Sequence, residues 1–287
     1  MTALHTGPRT EDTPSPPPAP ARRSRTAWLG SDRFLAIATP ALILVLWEVL
    51  ARAGVIDTRF FPAPTAIVGR AVEMLGSGEL LEHTWISVRR LLIAVVIGGV
   101  PALLLGLAMG LSRKLRAALD PIIAATYPVP KSAIFPLFLL VFGLGEASKI
   151  AVVAVGVFYP IAVNTVAGVR EIAPIYHDVG TNFGARRWQV FRTIALPGAL
   201  PLILTGFNLA FGMALMLLVV AEMLGAKSGL GFLIWNSWQT FQVENMYVGL
   251  VVISLLGFLF ALLVKLAERL LVPWRGTDER ADPRERR

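Results

Sequence analysis

Stretches of about twenty apolar residues recur along this chain, and they constrain its fold more than any other feature. A helix of about twenty residues spans the hydrocarbon core of a bilayer. Of the 287 residues, 55% are hydrophobic and 16% are charged, whereas a soluble domain carries about 25% charge. The sequence therefore predicts an all-α, polytopic membrane protein with six transmembrane helices. The six stretches cover residues 34–51, 91–111, 121–144, 150–169, 200–224 and 246–266.

Basic residues concentrate in one set of loops and tails, and this pattern predicts the orientation of the chain. The tail before the first span, the loops near 113–116 and 170–192, and the C-terminal end all carry arginine. Cationic loops of this kind stay in the cytoplasm. The amphipathic stretch 52–90 also holds arginines, but glutamates partly offset them, and we predict that it is external. Both termini are then cytoplasmic, which requires an even number of spans.

The two ends of the chain differ from the region between them. Residues 1–27 are rich in Pro, Thr and Arg and cannot bury apolar surface, so we predict a disordered cytoplasmic tail. Arginines at 22, 23 and 25 directly precede the first span. They indicate either a twin-arginine export signal or the cytoplasmic anchor of an uncleaved span. Residues 28–274 form the predicted transmembrane domain, and residues 275–287 form a second cytoplasmic tail.

Several kinds of functional site have no signature in this sequence. The chain has no Cys and only three scattered His, so no metal site is expected. It lacks a G-x-x-x-x-G-K-[ST] phosphate loop, a G-x-S-x-G elbow and an HExxH pair. The net charge of +8 could indicate nucleic acid, but aromatic residues do not interleave with the basic ones. We therefore expect no catalytic residue, no cofactor and no nucleic-acid partner.

A long, arginine-bearing loop at 171–200 joins the fourth and fifth spans. Pro174 suits the first turn of a helix, where its missing N–H costs nothing. Ile175, Val179 and Phe183 then recur every four residues and form one apolar stripe. Gly184 is predicted to end that helix.

A second short helix is predicted to follow at 185–195. Pro197 and Pro201 are predicted to end it and to start the fifth span. Two short amphipathic helices that meet at a glycine fit the groove of a soluble partner. The same helices could instead lie on anionic lipid, with Trp188 and the arginines as anchors.

The spacing of this loop resembles the Glu-Ala-Ala loop of bacterial ABC importer permeases. An acidic residue opens the pattern, a glycine follows six residues later, and Ile-x-Leu-Pro follows ten residues after that. Val179 and Gly180 replace the two alanines of the family. In that family the loop docks on the ATP-hydrolysing subunit, so the resemblance implies an ATPase-coupling loop here. The residues at the matching positions are Asp178, Val179, Gly180, Phe183, Gly184, Ile194, Leu196 and Pro197.

Other segments are similar to the nitrate/sulfonate/taurine-type permeases, and the resemblance covers residues 34–274. It implies a type I ABC importer permease-like fold and a homodimer in the bacterial inner membrane. The implied partners are two ATPase subunits and an extracytoplasmic solute-binding protein. The implied solute is a small anion such as an alkyl sulfonate, taurine or nitrate, with a pyrimidine precursor of thiamine as the alternative. The similar segments are residues 128–137, 142–150, 221–226, 229–231 and 273–274.

Two other classes of membrane protein make different predictions. A secondary transporter or channel, working without an ATPase, should show inverted repeats or paired polar residues at the midplane. A membrane-embedded enzyme should show clustered His or carboxylate residues. Neither pattern is visible in the sequence.

Three residues are candidates for a translocation path. Lys131 lies near the middle of the third span beside Pro130, where a cation could attract an anionic solute. Alternatively, Lys131 reaches towards interfacial water or lies in a broken helix buried in protein. Glu222 lies at the outer end of the fifth span. It could order the glycine-rich loop that follows, contact a binding protein, or simply be solvated.

Overall fold

The computed structural model describes residues 32–273, and within that range the chain is helical and has no β-strand. The predicted all-α fold is therefore confirmed. The predicted tails, the arginines at 22–25 and the residue at 274 lie outside the described residues. A 3₁₀ turn at Lys131–Ile134 leads into α5, and a π-helical turn at Phe191–Ala195 leads from α8 into α9. In chain order the helices are α1 (Asp32–Arg52), α2 (Pro64–Gly76), α3 (Glu79–Leu111), α4 (Arg113–Thr126), α5 (Phe135–Phe142), α6 (Glu146–Arg170), α7 (Pro174–Asn182), α8 (Arg187–Val190), α9 (Leu196–Gly225), α10 (Leu230–Gln239) and α11 (Val243–Leu271).

Five helical segments are long and apolar enough to cross a membrane: α1, α3, α6, α11 and the joined α8–α9 segment. A sixth candidate crossing within the described residues is the bent pair of α4 and the segment Lys131–Phe142, with an angle of 84° at the break between them. The predicted third span at 121–144 is therefore interrupted, in agreement with the alternative of a broken helix around Lys131. Pro128 and Pro130 explain the break, because proline lacks an N–H donor and disfavours a helical conformation in the residue before it.

The stretch after α1, which the sequence predicts to be external, contains α2 and the first turns of α3. Helix α3 starts at Glu79, twelve residues before the predicted apolar span at 91–111. Glu48 on α1 accepts a hydrogen bond from the Thr65 N–H at 3.0 Å, at the N-terminus of α2, where a carboxylate is favourable. In the intervening turn Arg59 donates hydrogen bonds to Asp57, and this contact holds the pKa of the Asp57 carboxyl below its ordinary value.

Helix α6 lies at the centre of the bundle, between α3 and α9. Its buried side chains include Val153, Val157 and Ile161, all fully shielded from the surroundings. The contact with α3 requires small residues, because a Cβ on Gly106 would lie 2.6 Å from the Cβ of Thr165. Close approach at small residues is a common way for membrane helices to associate. Movement of α9 relative to α3 must therefore involve α6.

Two residues after the last residue of α10, Phe241 has a left-handed backbone with a φ of 56°. The Gln242 N–H donates to the Ser237 carbonyl at 2.8 Å, and the Phe241 N–H donates to the Trp238 carbonyl at 3.2 Å. Glycine is the usual residue at this position of a helix end. A non-glycine residue there costs about 1–2 kcal/mol. The Phe241 side chain is 85% exposed, so packing within this chain does not offset that cost.

Candidate functional site

The cytosolic hairpin, which we define as residues 174–195 and name after the side of the membrane predicted from the loop charges, begins with α7. This helix starts at Pro174 and ends at Asn182, as the sequence predicted. Gly184 follows with a φ of 68°, and the Ala185 N–H donates to the Gly180 carbonyl at 2.9 Å. Glycine adopts this left-handed helix end without strain. A Cβ at position 184 would meet no atom within 4 Å, so the backbone conformation, and not a lack of space, requires glycine.

The apolar stripe predicted on α7 faces away from the rest of the chain. Ile175 and Val179 are largely exposed, and Phe183 at the end of the stripe is 86% exposed. Trp188 on α8 is 65% exposed and extends the apolar surface. A group of large exposed apolar side chains marks an interaction site. Asp178 belongs to α7, but its side chain lies outside the described part of the structure.

The two halves of the hairpin pack against each other through Gly180 and Ile194. A Cβ on Gly180 would lie 3.1 Å from Ile194 Cδ1 and 3.5 Å from Val190 Cγ2. The sequence departs from the alanine of the resembled loop at this position, and the close approach of Ile194 accounts for the smaller residue. Ile194 therefore packs on the inner side of α7, whereas Val179, which precedes Gly180 in the chain, remains exposed.

Helix α8 continues through the π-helical turn directly into α9. The prediction that Pro197 and Pro201 end the second short helix is therefore wrong. Pro197 lies just after the π-helical turn inside this continuous segment, where its missing N–H removes one helical hydrogen bond without ending the helix, and Pro201 lies one turn further along. Leu196 packs on the core cluster that contains Ala199. Residues Trp188–Gly225 thus form one helical segment from the hairpin through the fifth span.

Lys131 lies at the break between α4 and α5. It is buried, and its Nζ donates hydrogen bonds to the carbonyl oxygens of Thr126, at 3.0 Å, and Tyr127. The same nitrogen lies 4.2 Å from the centroid of the Tyr159 ring. The alternative that Lys131 belongs to a broken helix agrees with this geometry. Pro130 directly precedes the 3₁₀ turn that carries the lysine.

Glu222 is fully buried at the extracytoplasmic end of α9. Its carboxylate accepts hydrogen bonds from Ser87 Oγ at 2.9 Å, Arg90 Nη1 at 2.7 Å and the Gly231 N–H at 2.8 Å. The interpretation that Glu222 is solvated is therefore wrong. Its bond to Gly231 orders the glycine-rich loop, which was one of the interpretations of the sequence. Gly229 in that loop has a φ of 112°, and a Cβ there would collide with the Glu222 carboxylate.

Arg90 connects Glu222 to a second carboxylate. Its Nε donates to Glu146 Oε2 at 2.8 Å, and Nη1 also donates to the Ser228 carbonyl at 2.7 Å. The Arg90 side chain is 2% exposed, whereas that of Glu146 is 47% exposed. These charge-assisted bonds join α3, the start of α6, α9 and the loop before α10. Sequence reasoning missed Ser87, Arg90 and Glu146 because the bonds that join them to one another and to Glu222 link positions 56 to 135 residues apart along the chain.

Metal binding has no candidate group in this arrangement. Within residues 32–273, no three His, Cys, Asp or Glu side chains are placed to hold a metal ion. The buried side chains of Arg90 and Lys131 instead donate to a carboxylate and to backbone carbonyls, respectively.

A family model agrees with this architecture. The model, described as the inner membrane component of binding-protein-dependent transport systems, matches residues 102–276. This chain belongs to that family. The matched region includes α6, the cytosolic hairpin and α9. The family consists of transport permeases, so the chain is a multi-pass inner-membrane permease subunit and not an enzyme.

Two relatives align with this permease over most of its length. SsuC of Bacillus subtilis (strain 168), whose name refers to aliphatic sulfonates transport, is 34% identical over 257 residues, which are 90% of this chain and 91% of the relative. The taurine transport system permease protein TauC of Escherichia coli (strain K12) is 34% identical over 265 residues, which are 89% of this chain and 95% of the relative. The predicted membership of the sulfonate/taurine-type permeases is confirmed.

A solved structure has a similar fold. The inward-facing MetNI methionine ABC transporter matches with a TM-score of 0.56 and 20% identity, over 66% of this chain and 94% of that chain. At this identity the similarity concerns the fold alone. It confirms that the helices described above are arranged as in an ABC importer permease.

Proposed function

We propose that this permease couples transport to a separate ATPase subunit through its cytosolic hairpin. The observation that carries the proposal is the exposed apolar stripe on α7, which ends in Phe183 and has no partner among the described residues. A short helix that presents apolar side chains binds a groove in its partner. If the hairpin instead lay on lipid, the packing of Gly180 against Ile194 would have no movement of a partner subunit to transmit.

Movement of the hairpin reaches the membrane core along two routes. The first is the continuous segment from α8 through the π-helical turn into α9. The second is the contact of Ile172, after α6, with Gly198 on α9, where an added Cβ would lie 2.9 Å from Ile172 Cγ1. Closure of the ATPase would therefore displace α6 and α9 together. Such rocking of packed helices opens the central path to alternate sides of the membrane.

The proposed assembly contains two copies of the permease, two ATPase subunits and an extracytoplasmic solute-binding protein. The printed names of the relatives refer to aliphatic sulfonates and taurine, which carry a sulfonate group. We accordingly propose a small organic anion as the solute. We place Lys131 and its neighbour Pro130 on the path of the solute. Glu222 does not contact the solute in this proposal but holds the extracytoplasmic loop in place.

Complex formation with the cognate ATPase tests the docking role. We expect Phe183→Asp to reduce the ATPase that co-purifies with the permease by at least about tenfold, because loss of a central aromatic anchor costs roughly 2 kcal/mol or more. Phe241→Asp is a matched control, since Phe241 is 85% exposed and Phe183 is 86% exposed. Phe241 lies on the opposite side of the membrane in the proposed orientation. Equal ATPase recovery from the two variants would contradict docking through the hairpin.

A further inference from the structure

A small cavity opens at the break between α4 and α5. Its volume is about 260 Å³, and its wall includes Tyr127, Lys131, Tyr159, Met213 and Met216. Aromatic rings and thioethers provide apolar contact area, and the lysine provides the only charge on this wall. The cavity lies at the break inside the bent pair that forms the sixth candidate crossing.

Lys131 is a buried cation whose charge is not balanced by a carboxylate. Two of its three N–H groups donate to the carbonyls of Thr126 and Tyr127, and the Tyr159 ring lies beside the nitrogen. These groups supply only partial negative charge. Within residues 32–273 Lys131 forms no salt bridge, and no Asp or Glu lines the cavity. A buried charge without a counter-ion is costly, so an anion that enters this cavity gains a strong interaction.

Lys149 offers a comparison within the same chain. It is also buried, and its Nζ also donates to two backbone carbonyls, those of Leu144 and Gly145. Lys149 differs because it shares a cluster with Arg90 and with two carboxylates, those of Glu146 and Glu222. In that cluster two cations face two carboxylates, whereas among the described residues no carboxylate pairs with Lys131.

We propose that the cavity at Lys131 is a transit site, in which the anionic head group of the solute supplies the missing counter-ion. The third N–H of Lys131 donates to an oxygen of that group, and the rings and thioethers contact the rest of a small organic anion such as a sulfonate. This inference rests on the proposed transport of an anionic solute and adds the place where it binds. The size of the cavity restricts the site to small solutes.

Replacing Lys131 would also remove the cap of α4, so the test adds a charge beside the lysine instead. Met216 is 73% exposed and lines the same cavity from α9. Met216→Glu places a resident carboxylate beside Lys131, whereas Met216→Gln adds an uncharged group of the same shape. The measurement is equilibrium binding of labelled ethanesulfonate to each purified variant in lipid nanodiscs. We expect the affinity of Met216→Glu to be at least about tenfold below that of Met216→Gln, because the added charge repels the ligand.

Two results would overturn the transit site: ethanesulfonate shows no saturable binding to the unmodified permease, or the Glu and Gln variants bind it equally. Stimulation of the ATPase by the permease is measured on the same preparations. Intact stimulation together with either of these results would remove the transit site and leave the proposed ATP-coupled function standing. Loss of stimulation in the unmodified permease would instead count against the proposed function.

Discussion

Replacing Arg90 by Met tests how the extracytoplasmic ends of the core helices are held together. The Arg90 side chain is 2% exposed, and it is paired with Glu222, which is 0% exposed. Removing the arginine leaves the Glu222 carboxylate buried without its ion-pair partner, although Ser87 and Gly231 still donate to it. Lys149 lies within electrostatic reach but donates its hydrogen bonds to backbone carbonyls. Breaking a buried ion pair from one side costs about 3–5 kcal/mol. We therefore expect Arg90→Met to lower the free energy of unfolding by about this amount.

Two further variants of the same network show which interaction causes the loss of stability in Arg90→Met. Glu146→Gln breaks a pair whose carboxylate is 47% exposed, so we expect a loss of about 1 kcal/mol or less. In the double variant Arg90→Met/Glu222→Gln the unpaired charge is gone, and the amide oxygen still accepts from the Gly231 N–H. The double variant should therefore be more stable than Arg90→Met alone, because the uncompensated charge carries most of the cost.

Denaturant unfolding of the purified variants in mixed micelles, followed by tryptophan fluorescence, measures these differences. The expected order of stability is Glu146→Gln above the double variant, and the double variant above Arg90→Met. Two outcomes would refute the reasoning. One is a loss for Arg90→Met no larger than that for Glu146→Gln, and the other is a double variant less stable than the single one.

Three further predictions concern the helix ends and the hairpin. Phe241→Gly should raise the free energy of unfolding by about 1 kcal/mol in the same assay, since it removes a strained left-handed residue without a packed side chain. Gly184→Ala should lower the free energy of unfolding by about 1 kcal/mol, because alanine is strained in the left-handed conformation, although its methyl group would meet no atom within 4 Å. Gly180→Val should separate α7 from Ile194 and lower the solute taken up per ATP hydrolysed in proteoliposomes. Unchanged stability or unchanged coupling in the respective assays would contradict each prediction.

Local signals in the sequence were sufficient for much of the fold and for half of the hairpin. The lengths of the apolar stretches located the spans. Pro174 and Gly184 located α7, because each of them favours the start or the end of a helix through its own backbone geometry and needs no distant partner. The continuity of α8 with α9 was missed because a proline in the first turn of a helix and a proline that ends one look alike in sequence. The broken helix at Lys131 was one of the alternatives, but its 84° angle could not be predicted, because the length of an apolar stretch does not give the angle between two helices.

The network at Arg90 depends on tertiary packing and could not be predicted from the sequence. Arg90, Glu146 and Glu222 lie on three different helices, and only the packing of α3, α6 and α9 brings them together. In the sequence, Arg90 and its neighbour Arg89 look like the polar end of a span. The burial that makes their pairing strong is a property of the folded bundle.

Cross-linking from the hairpin to the ATPase tests the proposed coupling most directly. The chain contains no cysteine, so a single introduced thiol is unique. A short heterobifunctional reagent attached at Phe183→Cys should link the permease to the ATPase subunit in the assembled transporter, whereas the same reagent at Phe241→Cys should not. Efficient linkage from position 241, or no linkage from position 183 in a complex that hydrolyses ATP, would contradict docking of the ATPase on this hairpin.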